Sequence, residues 1–240
     1  MTDNNTQPII SVIIPAFNEE GTIRDCLNSV LDQTLDGNSF EIIVVDNNST
    51  DQTNLIVKNE YPKVRLVGET KQGVVFARIT GVKKAQGNII TFIDADSIAS
   101  RKWLKNIQTA FEDKRVVAVG ADLNFQPKNY LVNTVEPVTN FVNRRMKYIN
   151  GCNLSFRLSA YKKVGGFSVK TNGTEDFYIS LKLKKEGKII ILEKGEVTTS
   201  SRRYRLKNFI PYATKSLINQ ASILIFDRGL LLNFVKSPDF

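Results

Sequence analysis

Three stretches of the chain share one pattern, an apolar, β-branched run that ends abruptly in polar residues. "IISVIIPAFNEE" closes on Asn18, Glu19 and Glu20, and "FEIIVVDNNSTD" on Asp46, Asn47, Asn48 and Asp51. "NIITFIDADS" closes on Asp94 and Asp96. Unbroken runs of this kind suit strands buried on both faces, as in a parallel sheet. Helical spacing separates them. In "GTIRDCLNSVLDQT" the apolar positions Ile23, Cys26, Leu27, Val30 and Leu31 follow i, i+3, i+4, i+7 and i+8. "GVVFARITGVKKAQG" places Val75, Ile79 and Val82 on one side, with Gly87 as its stop. The alternation predicts a doubly wound α/β sheet. Ligands of such sheets bind beyond the carboxyl ends of the strands, where all three polar clusters fall.

The second half is less regular. "RVVAVGADLNF" and "INGCNLSFR" read as strands, and "IIILEKGEVTTS" as a hairpin turning at Gly195. "LVNTVEPVTNFVNRRMKY" reads as partly helical with a break near Pro137. "SAYKKV" is a helix stopped by Gly165 and Gly166, and "GTEDFYISLKLKKEGK" a helix behind a glycine loop. No repeat or low-complexity linker interrupts the chain. We expect one domain over residues 1–206 with two functional halves, one to about 115 and one over 116–206. A C-terminal amphipathic tail spans 207–240.

The chemistry narrows with the residues that are absent. No histidine occurs among the 240 residues. Acid–base work therefore falls to carboxylates, Lys, Tyr or Cys, and no metal has an imidazole ligand. Cys26 and Cys152 show neither metal spacing nor a disulfide framework, which fits a reducing cytoplasm. The formal net charge of +9 favours anionic partners such as nucleotides, phospholipid headgroups or nucleic acid. It equally describes an ordinary solvated surface. The N-terminus shows no basic region followed by an apolar run, and no stretch reaches the roughly 18 apolar residues of a membrane span.

Three groups carry candidate chemistry. If the strand continues past Ile93, Asp94 and Asp96 point to one side, because residues two apart share a face. Two like charges so placed require a cation between them. Hard divalent ions take such oxygens together with substrate phosphates. The pair would alternatively cap the helix starting near Ser100 or meet lysines. Glu175 and Asp176 follow a glycine loop, where a carboxylate serves as general base or simply suits a helix N-terminus. Arg202, Arg203 and Arg205 in "SSRRYR" suit phosphate oxygens, although surface arginines without ligands are common. The tail carries Lys207, Lys215, Arg228 and Lys236 among apolar groups such as "ILIF" and "LLL". It would pack on the domain, join an oligomer or lie in a membrane interface.

In order, "SVIIPAFNEEGTI", "EIIVVDNNSTDQT", "GVVFARITGVKKAQGNIITFIDADS", "GCNLSFRLSAYKKVGGF" and "TEDFYISLKLKKEGKI" resemble the family 2 glycosyltransferases over about residues 9–205. The resemblance implies the GT-A fold: a Rossmann-like, mainly parallel central sheet flanked by helices, here with a C-terminal helical tail. It implies that Pro15, Ala16 and Glu19 line a nucleoside pocket, that Asp46 reads the base, and that Arg78 sits beside the nucleotide. Asp94 would hold the ribose or diphosphate region and share the metal with Asp96. Asp176 would be the base and Glu175 its support. Arg202 and Arg203 would face the diphosphate. Ile79 stands where many relatives carry Asn. The segment from Arg202 is similar to the R-x-x-R-W motif of polymerising synthases, but Leu206 replaces the aromatic, which argues against processive synthesis.

The expected activity is metal-dependent (Mg²⁺ or Mn²⁺), inverting transfer from a nucleotide-diphosphate sugar, by resemblance a UDP-sugar. The acceptor would be a hydroxyl of a glycan or lipid-linked glycan. The protein would then work in the cytoplasm or against the inner face of the cell membrane in polysaccharide or envelope synthesis. A polyisoprenyl-phosphate glycosyltransferase is the near alternative, though its anionic acceptor needs no base. A non-catalytic nucleic-acid-binding protein is the distant one. Acidic residues at the strand ends would repel a polyanion, and no P-loop or G-x-G-x-x-G is present.

Overall fold

The computed structural model describes residues 9–226, apart from 172, 194–195 and 203–205, together with residue 228. In chain order the first half runs β1 (Ile10–Ala16), α1 (Ile23–Leu31), β2 (Phe40–Asp46), α2 (Thr53–Glu60), β3 (Arg65–Gly68), α3 (Val74–Lys84), β4 (Ile89–Ile93), β5 (Ser97–Ala99) and α4 (Trp103–Ala110). The second half runs β6 (Val116–Ala121), β7 (Asn124–Gln126), α5 (Tyr130–Met146), β8 (Asn153–Arg157), α6 (Leu158–Lys163), α7 (Glu175–Leu183), β9 (Lys188–Leu192), β10 (Val197–Ser200) and α8 (Leu206–Phe226).

Seven strands form the central sheet in the order β3-β2-β1-β4-β8-β6-β9, and a small sheet has the order β5-β10-β7. β1 runs parallel to β2 and β4, and β2 to β3. β8 is antiparallel to both β4 and β6, while β9 is parallel to β6. The expected α/β class with a mainly parallel sheet is therefore present. The unbroken apolar runs have a direct cause, since successive residues enter two separate core layers. Ile10, Val12 and Ile14 of β1 pack in one layer with α1, α2 and α4. Ile13 enters the other with Ile43, Val45, Ile90 and Phe92, against α3, α6 and α7. Trp103 is fully buried, and its indole N–H donates to Asn153 Oδ1 at 3.0 Å.

Several sequence expectations change. α3 buries Ala77, Arg78, Gly81 and Val82, whereas Val75 and Ile79 are only partly buried. A side chain on Gly81 would collide with Ile13, so glycine sets how closely α3 lies on the sheet. The helix stops at Lys84, three residues before Gly87, whose N–H donates to Ser11 Oγ at 2.8 Å. "RVVAVGADLNF" is two strands in different sheets, β6 and β7. β9 and β10 also belong to different sheets and form no hairpin; Gly195 lies outside the described residues.

α5 is continuous through Pro137. Its anchors lie on both sides of the proline: Asn129 Oδ1 caps Val132 N–H at 2.9 Å, Glu136 accepts from Phe125 N–H, and Asn140 bonds both backbone groups of Leu123. Those anchors hold a helix that proline alone would weaken. In the tail, α8 buries Asn219, Ser222 and Ile223 but exposes Leu217, Leu224, Ile225 and Phe226. Among the described residues no helix is long and apolar enough to cross a membrane.

Candidate active site

The carboxyl ends of β1, β2 and β4 form one rim. Ala16, the last residue of β1, is buried and Pro15 half-buried. Beyond β1, Asn18 adopts a left-handed backbone (φ 54°) and its Oδ1 accepts from Thr50 N–H at 2.8 Å. The Glu20 N–H donates to Asp51 at 3.0 Å and the Glu19 N–H to Thr53 Oγ1 at 2.8 Å. Asn47 ties down the loop after β3, donating to the carbonyls of Glu69 and Lys71 and accepting from Gly73 N–H. Much of the polar cluster in "DNNSTD" is therefore loop stitching. Asp46 sits at the strand end, nearly buried, and accepts from Ser49 N–H at 3.2 Å and Asn54 Nδ2 at 3.1 Å.

The aspartate pair departs from the sequence expectation. β4 ends at Ile93, and the Ser97 N–H bonds the Asp94 carbonyl at 3.0 Å, so both aspartates lie in a turn. Strand alternation therefore does not align them. Each has its own arginine. Arg78 Nη2 lies 3.3 Å from Asp94 Oδ1, and Arg202 Nη2 lies 3.1 Å from Asp96 Oδ2. Neither aspartate caps α4, whose first flanking residue is Lys102. Arg203 falls outside the described residues.

Arg78 also forms a short pair with Glu175, and its guanidinium lies 5.6 Å from the Phe92 ring centre. Its side chain is 5% exposed and that of Glu175 3%. Burial works against the Arg78 charge, but the carboxylates of Glu175, Asp94 and Asp176 outweigh it and hold the guanidinium firmly protonated. Burial pushes the Glu175 carboxyl above its ordinary range, with Arg78 opposing that shift. Asp176, beside Glu175 in the first turn of α7, accepts from Tyr148 Oη at 2.9 Å and from Gly151 N–H at 3.0 Å. The helix N-terminus adds a favourable field for its charge. Any side chain on Gly151 would collide with the Arg78 guanidinium, so this glycine admits the arginine while its backbone holds Asp176.

Tyr148 and Gly151 were not anticipated as site residues. Their only sequence signal is their place around "INGCNL". Cys152, next in the chain, is half-buried; burial first, then the charges of Asp94 and Asp96, push its thiol up, so it is inert at neutral pH. Among the described residues no group of three or more His, Cys, Asp or Glu would hold a metal. The donor set offers two aspartates, which suits an ion that takes its remaining oxygens from phosphates and water, as Mg²⁺ and Mn²⁺ do.

The sequence description of glycosyl transferase family 2 matches residues 11–164. The chain is 34% identical over 147 residues to the glycosyltransferase AglE of Haloferax volcanii, covering 60% of this chain and 48% of that protein. It is 27% identical over 207 residues to WfgD of Escherichia coli, a UDP-Glc:α-D-GlcNAc-diphosphoundecaprenol β-1,3-glucosyltransferase, covering 82% and 77%. The chain spans about half or less of the first curated relatives it matches. In structure it is similar to the mannosyltransferase PcManGT from Pyrobaculum calidifontis in complex with GDP-Man and Mn²⁺. The TM-score is 0.75 at 22% identity, over 92% of this chain and 65% of that one. S. aureus TarS gives a TM-score of 0.70 at 21% identity, over 92% and 66%.

Proposed function

Because this chain belongs to glycosyl transferase family 2, we propose that it moves a sugar, with inversion, from a UDP-sugar to a hydroxyl of a glycan or lipid-linked glycan. One observation carries the reading. The guanidinium of Arg78 bonds both Asp94, behind β4, and Glu175, at the start of α7. The donor-side turn and the proposed acceptor-side acid pair therefore meet at one group. The WfgD resemblance supports the choice of UDP and of a lipid-linked acceptor.

Asp176 takes the proton from the acceptor hydroxyl as its oxygen attacks the anomeric carbon from the face opposite the leaving diphosphate. Tyr148 and the Gly151 N–H aim that carboxylate. Glu175 and Arg78 fix the turn of α7 that carries it. Pro15, Ala16, Glu19 and Asp46 form the nucleoside side of the cleft. Asp96 and Asp94 would hold Mg²⁺ or Mn²⁺, which when bound offsets the charge gathering on the diphosphate.

A panel of nucleotide sugars with Mn²⁺, read by thermal unfolding, tests the donor. A saturating donor at a hundredfold excess over its dissociation constant stabilises by about 2.7 kcal/mol. A UDP-sugar should raise the midpoint, and Asp46→Ala should still fold, with a lower unliganded midpoint from the lost Ser49 and Asn54 hydrogen bonds, and should weaken the rise. A response confined to other nucleotides would overturn the UDP assignment. An unchanged response in the variant would remove Asp46 from the pocket.

The exposed apolar residues of α8, with the exposed Lys215 and Arg228 beside them, support contact with an anionic lipid surface. A chain ending at Leu206 should sediment less with anionic vesicles than the full chain. Equal sedimentation would refute the contact.

A further inference from the structure

The carboxylate proposed above as the principal metal ligand is already in use. Arg202 lies two residues past the end of β10, and its Nη2 lies 3.1 Å from Asp96 Oδ2. The same guanidinium grips Glu19 with both terminal nitrogens, Nη1 reaching Oε2 at 3.1 Å. The three side chains are largely withdrawn from water, at 23% exposure for Arg202, 12% for Glu19 and 8% for Asp96. Solvent and salt therefore screen this arrangement little. We propose that Arg202 is a positioning residue that occupies Asp96 in the donor-free protein. It keeps divalent cations off until a nucleoside diphosphate draws the guanidinium away, so that cation and diphosphate enter together.

Two observations make the exchange chemically complete. First, among the described residues no group of three or more His, Cys, Asp or Glu is arranged to hold a metal ion by itself. A cation must take oxygens from the diphosphate, and it gains little by displacing Arg202 alone. Second, Arg202 and Asp96 each exchange one charged partner for another, and Glu19 keeps a neutral donor. The planar fork of arginine fits phosphate oxygens as well as carboxylates. Asp96 receives the cation, and Glu19 keeps the hydroxyl of Thr22, which donates to its Oε2 at 2.7 Å. Thermodynamic linkage then requires nucleoside diphosphate and cation to strengthen each other's binding by the same factor.

The proposal rests on the metal-dependent reading of the site, and the test separates the two. Free Mn²⁺ is followed by electron paramagnetic resonance as the full-length protein is titrated, with and without UDP or GDP. Wild type should bind Mn²⁺ weakly alone and much more tightly with nucleotide. Arg202→Met should bind Mn²⁺ alone about ten- to a hundredfold more tightly than wild type, the worth of one released charge-assisted contact. It should also gain less from nucleotide. Arg202→Lys, which keeps the charge, should stay near wild type. If Arg202→Met does not fold, Arg202→Gln, neutral and polar, gives the same reading.

Nucleotide-supported Mn²⁺ binding in wild type, with no tightening in the folded neutral variants, would overturn the role of Arg202 alone. Wild type binding Mn²⁺ equally well with and without nucleotide would overturn it too. No Mn²⁺ binding under any condition would overturn the metal-dependent reading and this proposal with it.

Discussion

Asp176→Asn is expected to lower turnover by about 10²–10⁴-fold, the usual loss for a general base, while donor and metal binding stay near wild type. The side chain accepts from Tyr148 and Gly151 through Oδ2, and from the Phe177 N–H through Oδ1 at 2.8 Å. An amide oxygen can still accept the first two bonds, while the amide nitrogen gives up the one from Phe177, so the folded state of the variant is checked first by circular dichroism. Single-turnover transfer, combined with donor calorimetry, separates the outcomes. Near wild-type transfer would end the base assignment and favour a phosphate acceptor, which has no proton to lose. Lost donor binding would instead move Asp176 to the nucleotide.

Arg78→Met is expected to cost about 3–5 kcal/mol of stability, the usual penalty for leaving one member of a buried ion pair without its partner. Methionine fills similar space but leaves Glu175 charged in an almost fully buried position. Burial already raises the Glu175 carboxyl, and Arg78 is the main group opposing that rise. Without Arg78 the folded-state value lies further above the unfolded one. The difference from wild type should therefore be smallest below the ordinary glutamate range and grow as pH rises through the raised Glu175 value. Denaturant midpoints across that range give the profile. Arg78→Met with Glu175→Gln should recover much of the loss. A single variant as stable as wild type at neutral pH would show that the pair contributes nothing to stability.

The first half of the fold was legible because its code is local. Each buried strand writes itself as a β-branched run, and the polar residues behind Ala16, Asp46 and Ile93 mark where the backbone leaves the sheet. Local pattern failed where the outcome depends on distant partners. Nothing near Val197 reveals that β10 leaves its neighbour β9 to join β5 and β7. Nothing near Pro137 reveals the side-chain anchors along the continuous helix α5. Nor does spacing reveal that Asp94 and Asp96 are held by arginines from α3 and from the end of β10. Each guanidinium reaches its aspartate from a remote part of the chain.

The small sheet has a consequence for how this chain divides. β10 bonds β5 and β7 at once, and the hydroxyls of Ser97 and Thr199 meet across 102 positions. The stretch matching the family, residues 11–164, supplies β5 and β7 but not the strand that joins them. It also lacks β9, which covers the outer edge of β6, and Glu175, the buried partner of Arg78. Excised at that boundary, the chain would expose an unpaired strand edge and leave Arg78 with Asp94 as its remaining carboxylate partner. The recognisable signature is thus shorter than the packed unit, and it is residues beyond it that complete both sheets.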